Sequence, residues 1–155
     1  AGIMIFLGGR TGSLEEGYAV AERALSSGQA ADVFWKFVVH QGGCRFESLA
    51  RASQVVPFLA PESGYVSRVD ALAIGRAAVC LGAGRRVKGE RVDPAVGVVL
   101  RKKVGERVKQ GEVLAEVHAN ETGVLGALEA IKKAYSISPS PPEIPPLVLG
   151  VVGKV

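Results

Sequence analysis

Residues 104–120 read VGERVKQGEVLAEVHAN, and the fold hangs on this stretch. Gly105 and Gly111 bracket a polar segment, the composition of a chain reversal. The run VLAEVHA (113–119) that follows alternates apolar and polar residues, the period of a half-buried strand. On the other side lies VGVVLRKK (96–103), rich in β-branched residues and also strand-like. Two strands joined by a polar, glycine-bearing turn predict a hairpin.

Working outward, GYVSRV (64–69) alternates as another strand. Asp70 is placed to cap a helix running through Leu81, whose Ala71, Ile74, Ala77, Ala78 and Leu81 predict burial on nearly all sides. Leu72, Ile74 and Val79 are read as core. GAGRR (82–86) stops that helix. A further helix is predicted over 121–135, then a polyproline-like tail, SPSPPEIPPLVLGVV, ending in an edge strand. Before residue 64 the pattern is helical. Ser13-Leu14-Glu15-Glu16 has the form of a capping box, opening a helix to about Ser27 with Leu14, Tyr18, Ala21 and Leu25 on one face. A second helix spans about 30–41 with Val33, Phe34, Phe37 and Val38 as its stripe. Residues 44–63 read as a linker with one helical turn over 46–52, since Pro57 and Pro61 forbid a long helix. The expected class is α+β: a helical segment (1–56) followed by an α/β-hammerhead-like subdomain (57–155). No internal repeat is evident.

The totals suit a folded chain. It has 155 residues, 48% hydrophobic and 22% charged, a globular and not a disordered composition. The net charge of +4 is uneven: between Arg85 and Lys109 nine basic residues face three acidic ones. Such a patch suits an anion or is a solvated rim, and the lack of interleaved aromatics favours the rim over nucleic acid. Cys44 and Cys80 lie in unrelated contexts without metal-ligand spacing and read as reduced thiols, Cys80 as a small core residue, in a cytoplasmic protein. AGIMIFLGG at the start is too short to span a bilayer and reads as the last turns of a buried helix, so the chain reads as a portion of something longer.

The residues offer little chemistry. GAGRR closes a helix, the end whose dipole repels anions. His40 and His118 lack partners at ligand spacing and read as structural. Phe34, Trp35 and Phe37 read as core or interdomain packing. The hairpin resembles the second half of a biotin- or lipoyl-carrying domain. Such carriers hold their cofactor on a lysine at the hairpin tip. The corresponding place here, Glu116 to Glu121, has none, and Lys102, Lys103 and Lys109 lie on the opposite side of the turn. A non-catalytic binding module, either carrier-like or a basic nucleic-acid binder, stands as the alternative reading.

Four longer stretches carry a wider resemblance: SLEEGYAVAERALSSGQAADVFWKFVVHQGG (13–43), SGYVSRVDALAIGRAAVCLGAGR (63–85), VDPAVGVVLRKKVGERVKQGEVLAEVHAN (92–120) and LEAIKKAYSISPSPPEIPPL (128–147). In order and nearly without gaps, they resemble the C-terminal part of pyrimidine-nucleoside and thymidine phosphorylases; only VLGVVGKV departs. The resemblance implies a homodimeric enzyme that converts a pyrimidine nucleoside and phosphate, as co-substrate, to free base and (deoxy)ribose 1-phosphate, with no further cofactor. It implies that the first helices end an α/β catalytic domain. The family's Lys-x-Ser-Thr-Gly-Gly-type phosphate loop and its substrate-binding residues are not in this sequence. Catalytic residues are thus expected upstream, and the 155 residues alone are expected to be inactive. What carries over is a lid role for the loop from Arg85 to Pro94, with Arg85, Arg86, Lys88 and Asp93 as candidate lid residues. The partners implied are the upstream catalytic portion, a second copy, and the substrates, with neither membrane nor nucleic acid.

Overall fold

A computed structural model of the chain describes residues 1–43, 46–150 and 152. Cys44 and part of the divergent C-terminal end lie outside the described residues. The elements fall into two compact units, residues 1–49 with 148–155, and residues 50–147.

The first unit is helical: α1 (Gly2–Leu7), α2 (Leu14–Ser26) and α3 (Gln29–His40), then a single 3-10 turn at Phe46–Ser48. The Ser13 hydroxyl accepts from the Glu16 amide at 3.2 Å, as the capping box requires. Glu16 reaches one residue further back than the motif prescribes, accepting from the Gly12 amide at 2.8 Å. Helices α1 and α2 meet through glycines. A Cβ on Gly17 would strike the Gly2 carbonyl, so the backbones touch where side chains would hold them apart. The apolar residues of this unit are largely uncovered. Met4 is 77% exposed, Phe37 is 62% exposed, and no residue of α3 is buried. The reading of α1 as a buried helix is therefore corrected, and of the two roles read for Phe34, Trp35 and Phe37, core or interdomain packing, the exposure excludes the core of this unit. Three short helices enclose too little volume to bury both faces of each.

The second unit contains β1 (Gln54–Leu59), β2 (Gly64–Val69), α4 (Ala71–Leu81), β3 (Gly97–Leu100), β4 (Arg107–Val108), β5 (Val113–Ala119), α5 (Val124–Ala134) and β6 (Tyr135–Ser138). These build two antiparallel three-stranded sheets, ordered β1-β5-β3 and β4-β2-β6, with α4 packed on α5. The class is α+β, as read. The hairpin strands β3 and β5 pair with Val98 opposite Val117 and Leu100 opposite Ala115. Ala115, Val117 and Ala119 point inward and are fully buried, while Glu116 and His118 face out. With Val66, Val108, Leu114, Ala127 and Ile131 they form the core.

Three readings need correction here. The strand β1 lies in what read as a linker, so a boundary at residue 56/57 would cut it, and the contacts divide the chain after Leu49 instead. Pro57 hid this strand, yet β1 is an edge, where a residue without an N–H is tolerated. Second, α4 is buried on one face only. Ala77 and Leu81 are buried, Cys80, Ile74 and Val79 are half-buried, and Leu72 is 64% exposed. Small residues on every side reflect close approach to α5 on one face, not cover all round. Third, the helix read through Tyr135 ends at Ala134 and β6 follows directly, paired with β2; in the tail no strand occurs in the described residues after Ser138, and Val151 of the expected edge strand lies outside them.

The turn holds a short repeat that the sequence reading missed. Lys103-Val104-Gly105-Glu106 and Lys109-Gln110-Gly111-Glu112 are both K-x-G-E. In each, the glycine takes a positive φ (92° and 82°) and the Glu amide donates to the Lys carbonyl, the form of a type II turn. Each Glu carboxylate accepts from its Lys amide, at 2.6 and 2.9 Å. Each turn then clamps one buried residue. The Gly105 amide donates to Val66 O and Val66 N donates to Glu106 O; Gly111 and Glu112 treat Ala60 in the same way.

Candidate functional site

The candidate lid residues lie on the loop between α4 and β3. Gly82 ends α4 with φ 99°, and the Ala83 amide turns back to Ala78 O, a left-handed helix stop. The loop then closes on itself through Glu90. Its carboxylate accepts from the Arg86 amide at 2.6 Å and lies 3.5 Å from the Arg86 guanidinium, while Arg85 Nε donates to Glu90 O at 3.0 Å. The Arg86 amide first, then the Val87 amide at 3.4 Å and the Arg86 charge, hold the Glu90 carboxyl below its ordinary value. Lys88 is exposed and makes no hydrogen bond or ion pair among the described residues.

Asp93 differs from the three basic residues. It sits half-buried at the stem, where its amide donates to Gly82 O at 2.9 Å and its Oδ1 accepts from the Ala95 amide at 2.9 Å. Its Oδ2 accepts from Asn120 Nδ2 at 2.7 Å. The structure thus brings Arg85 and Arg86 together around Glu90 and leaves Asp93 apart, tied to the end of β5. Glu90 and Asn120 were missed. The spacing Arg86-x-x-x-Glu90 is a local signal for the first; nothing local signals the second.

The basic stretch is partly neutralised. Arg101 pairs with Glu116 and Lys102 with Glu112, each at 2.7 Å, and both acids lie outside the 85–109 window. The cationic partners come first among the causes that lower the Glu116 and Glu112 carboxyls. Lowered carboxyls bind protons less readily folded than unfolded. Their contribution is therefore present above the ordinary glutamate value of 4.5 and lost as pH falls through the folded values. The urea midpoint should be level from pH 7 to about 5 and lower at pH 3; with Glu90, Glu112 and Glu116 changed to Gln, that fall should shrink.

His118 Nε2 is buried without a hydrogen-bond partner among the described residues, 3.6 Å from Glu116 Oε2, and His40 is exposed in the last turn of α3. Phe34 and Trp35 stack edge-on at 5.4 Å. Cys80 is a free thiol. Among the described residues no group of His, Cys, Asp or Glu could hold a metal, and no helix is long and apolar enough to cross a membrane.

Comparison with known proteins gives this geometry a context. Residues 65–138 match the model of the pyrimidine nucleoside phosphorylase C-terminal domain. The chain is 38% identical over 150 residues to the pyrimidine-nucleoside phosphorylase of Geobacillus stearothermophilus, covering 94% of this chain and 35% of that protein. It is 35% identical over 140 residues to the enzyme of the same name from Staphylococcus aureus strain USA300, covering 87% and 32%. The chain thus spans about a third of the length of these relatives. The two sheets, the α4–α5 pair and the hairpin all lie within or against the matched segment, and residues 65–138 belong to the pyrimidine nucleoside phosphorylase family as its C-terminal domain.

Proposed function

We propose that the chain is the supporting C-terminal portion of a pyrimidine-nucleoside phosphorylase. The whole enzyme cleaves a pyrimidine nucleoside with phosphate to base and (deoxy)ribose 1-phosphate, acts as a cytoplasmic homodimer, and keeps its reactive groups upstream of these residues. In this reading residues from about Gly64 form a hammerhead-like subdomain, the first helices complete the catalytic domain, and the 85–94 loop is a lid. Arg85, Arg86 and Lys88 lie at its exposed tip and Asp93 at its stem.

The observation that carries this is the domain match over residues 65–138, extended by similarity along nearly the whole chain. The exposed apolar residues of α3 agree, since such a surface suits a helix that is covered in a larger protein. The carrier alternative weakens further on geometry. Lys102 is ion-paired with Glu112 at 2.7 Å, and residues 116–121, where a carrier would hold its lysine, include none.

The 155 residues alone should release no uracil or thymine from uridine or thymidine in phosphate, and the intact mass should show no biotinyl or lipoyl adduct after expression with the matching ligases. Turnover, or an adduct on any lysine, would contradict the reading.

A further inference from the structure

The side chain of Asn120 joins three segments far apart in sequence. Its Oδ1 accepts from the Ser53 amide at 2.8 Å, and its Nδ2 donates to Asp93 Oδ2 at 2.7 Å. Its own carbonyl accepts from Gln54 Nε2 at 2.7 Å. Both ends of the amide are used, and the Ser53 N–H fixes which end faces Asp93. The loop it grips is otherwise bonded mainly to itself. Glu90 closes residues 85–90 into one piece, and below that the stem rests on the Asp93 amide to Gly82 O and on Asp93 to Asn120.

We propose that residues 85–92 form a flap that swings as one piece, and that Asn120 is the catch holding it against the end of β5. The Asp93–Asn120 bond is a charged-acceptor bond between side chains, stronger than a neutral one and the only side-chain tie from stem to sheet among the described residues. Asn120 is a positioning residue; Ala83, whose amide bonds to Ala78 O and which packs on the core, stays fixed as the hinge, and the hydrogen bonds that hold the far end of the flap are Asp93 to Asn120 and the Asp93 amide to Gly82 O. The inference rests on the lid reading for the flap's use in catalysis, but not for its mechanics.

The chemistry permits a reversal of polarity. In Asn120→Asp the new carboxylate still accepts from Ser53 N–H, but its second oxygen faces Asp93. In Asp93→Asn two amide NH2 groups face each other, while the oxygen of the introduced amide keeps its bond from the Ala95 N–H. In the double exchange every donor meets an acceptor again. Brief trypsin digestion of the full chain reads the flap, because Arg85, Arg86, Lys88 and Arg91 are exposed on it, and Lys132 and Lys133 in α5 report global opening. Each single variant should be cut in the flap roughly tenfold faster, from loss of one charge-assisted bond, with cutting at Lys132–Lys133 unchanged. The double exchange should return flap cutting to the parent rate. Single variants cut at the parent rate, cutting that rises equally in α5, or a double exchange as labile as the singles would each overturn the proposal. Failure here would leave the phosphorylase reading intact, because that rests on the domain match and on base release.

Discussion

Replacing Gly123 with alanine should destabilise the second unit by about 3 kcal/mol and lower its melting temperature by roughly 15 °C. Gly123 caps α5 with φ 85° and lies on the end of α4. An added Cβ would land on the Cys80 carbonyl oxygen, 2.7 Å from its carbon and 3.1 Å from Leu81 Cα. These are backbone atoms of a helix that ends in a buried residue, so nothing flexible can give way. The left-handed backbone costs an L-residue about 1–2 kcal/mol, and overpacking against a fixed neighbour adds about 1–3 kcal/mol. Gly75 is the control: it is exposed on α4, and nothing lies within 4 Å of where its Cβ would stand. Gly75→Ala should be neutral or stabilising by up to about 1 kcal/mol, because alanine suits a helix interior better. Thermal denaturation followed by circular dichroism distinguishes the two.

Leu114→Ala should cost about 3 kcal/mol, within the range for removing a fully buried leucine. Leu114 has no exposed surface and sits where β1 and β5 change register, between Phe58 and Leu59. There its side chain turns into the core although Glu116 and His118, of the same parity along β5, face outward. Its carbonyl accepts from the amides of Arg101 and Lys102, and the Tyr135 hydroxyl lies 3.0 Å from it and 2.8 Å from Lys102 O. Burial first, and the Glu106 charge second, push that phenol up to about 12, so it stays a proton donor at neutral pH. A cavity at Leu114 thus loosens the point where both sheets meet. Leu114→Met, nearly equal in volume, should cost less than about 1.5 kcal/mol. Urea denaturation of the pair measures the difference.

What could be read in advance followed from local chemistry. The caps at Ser13 and Asp70, the stop at Gly82 and the alternation over 113–119 each depend on a few adjacent residues, and each is realised. The misreadings share a different cause. A strand at an edge can hold a proline, so β1 was invisible until its partner β5 was in place beside it. Leu72 and the α3 aromatics have core composition, but which of them is covered depends on partners that no short window contains. The same holds at the loop. Arg85, Arg86, Lys88 and Asp93 are contiguous enough to single out, whereas Asn120 reaches Asp93 across 27 residues. The K-x-G-E repeat was legible and overlooked, because its two copies look like ordinary polar turn until their common clamping of Val66 and Ala60 is seen.

The most direct measurement grafts these 155 residues in place of the matching third of the Geobacillus stearothermophilus enzyme and follows phosphate-dependent release of uracil from uridine. The account predicts turnover by the graft and none by the host lacking that third. A graft that folds to the host's secondary structure and melting behaviour yet releases no base would contradict it.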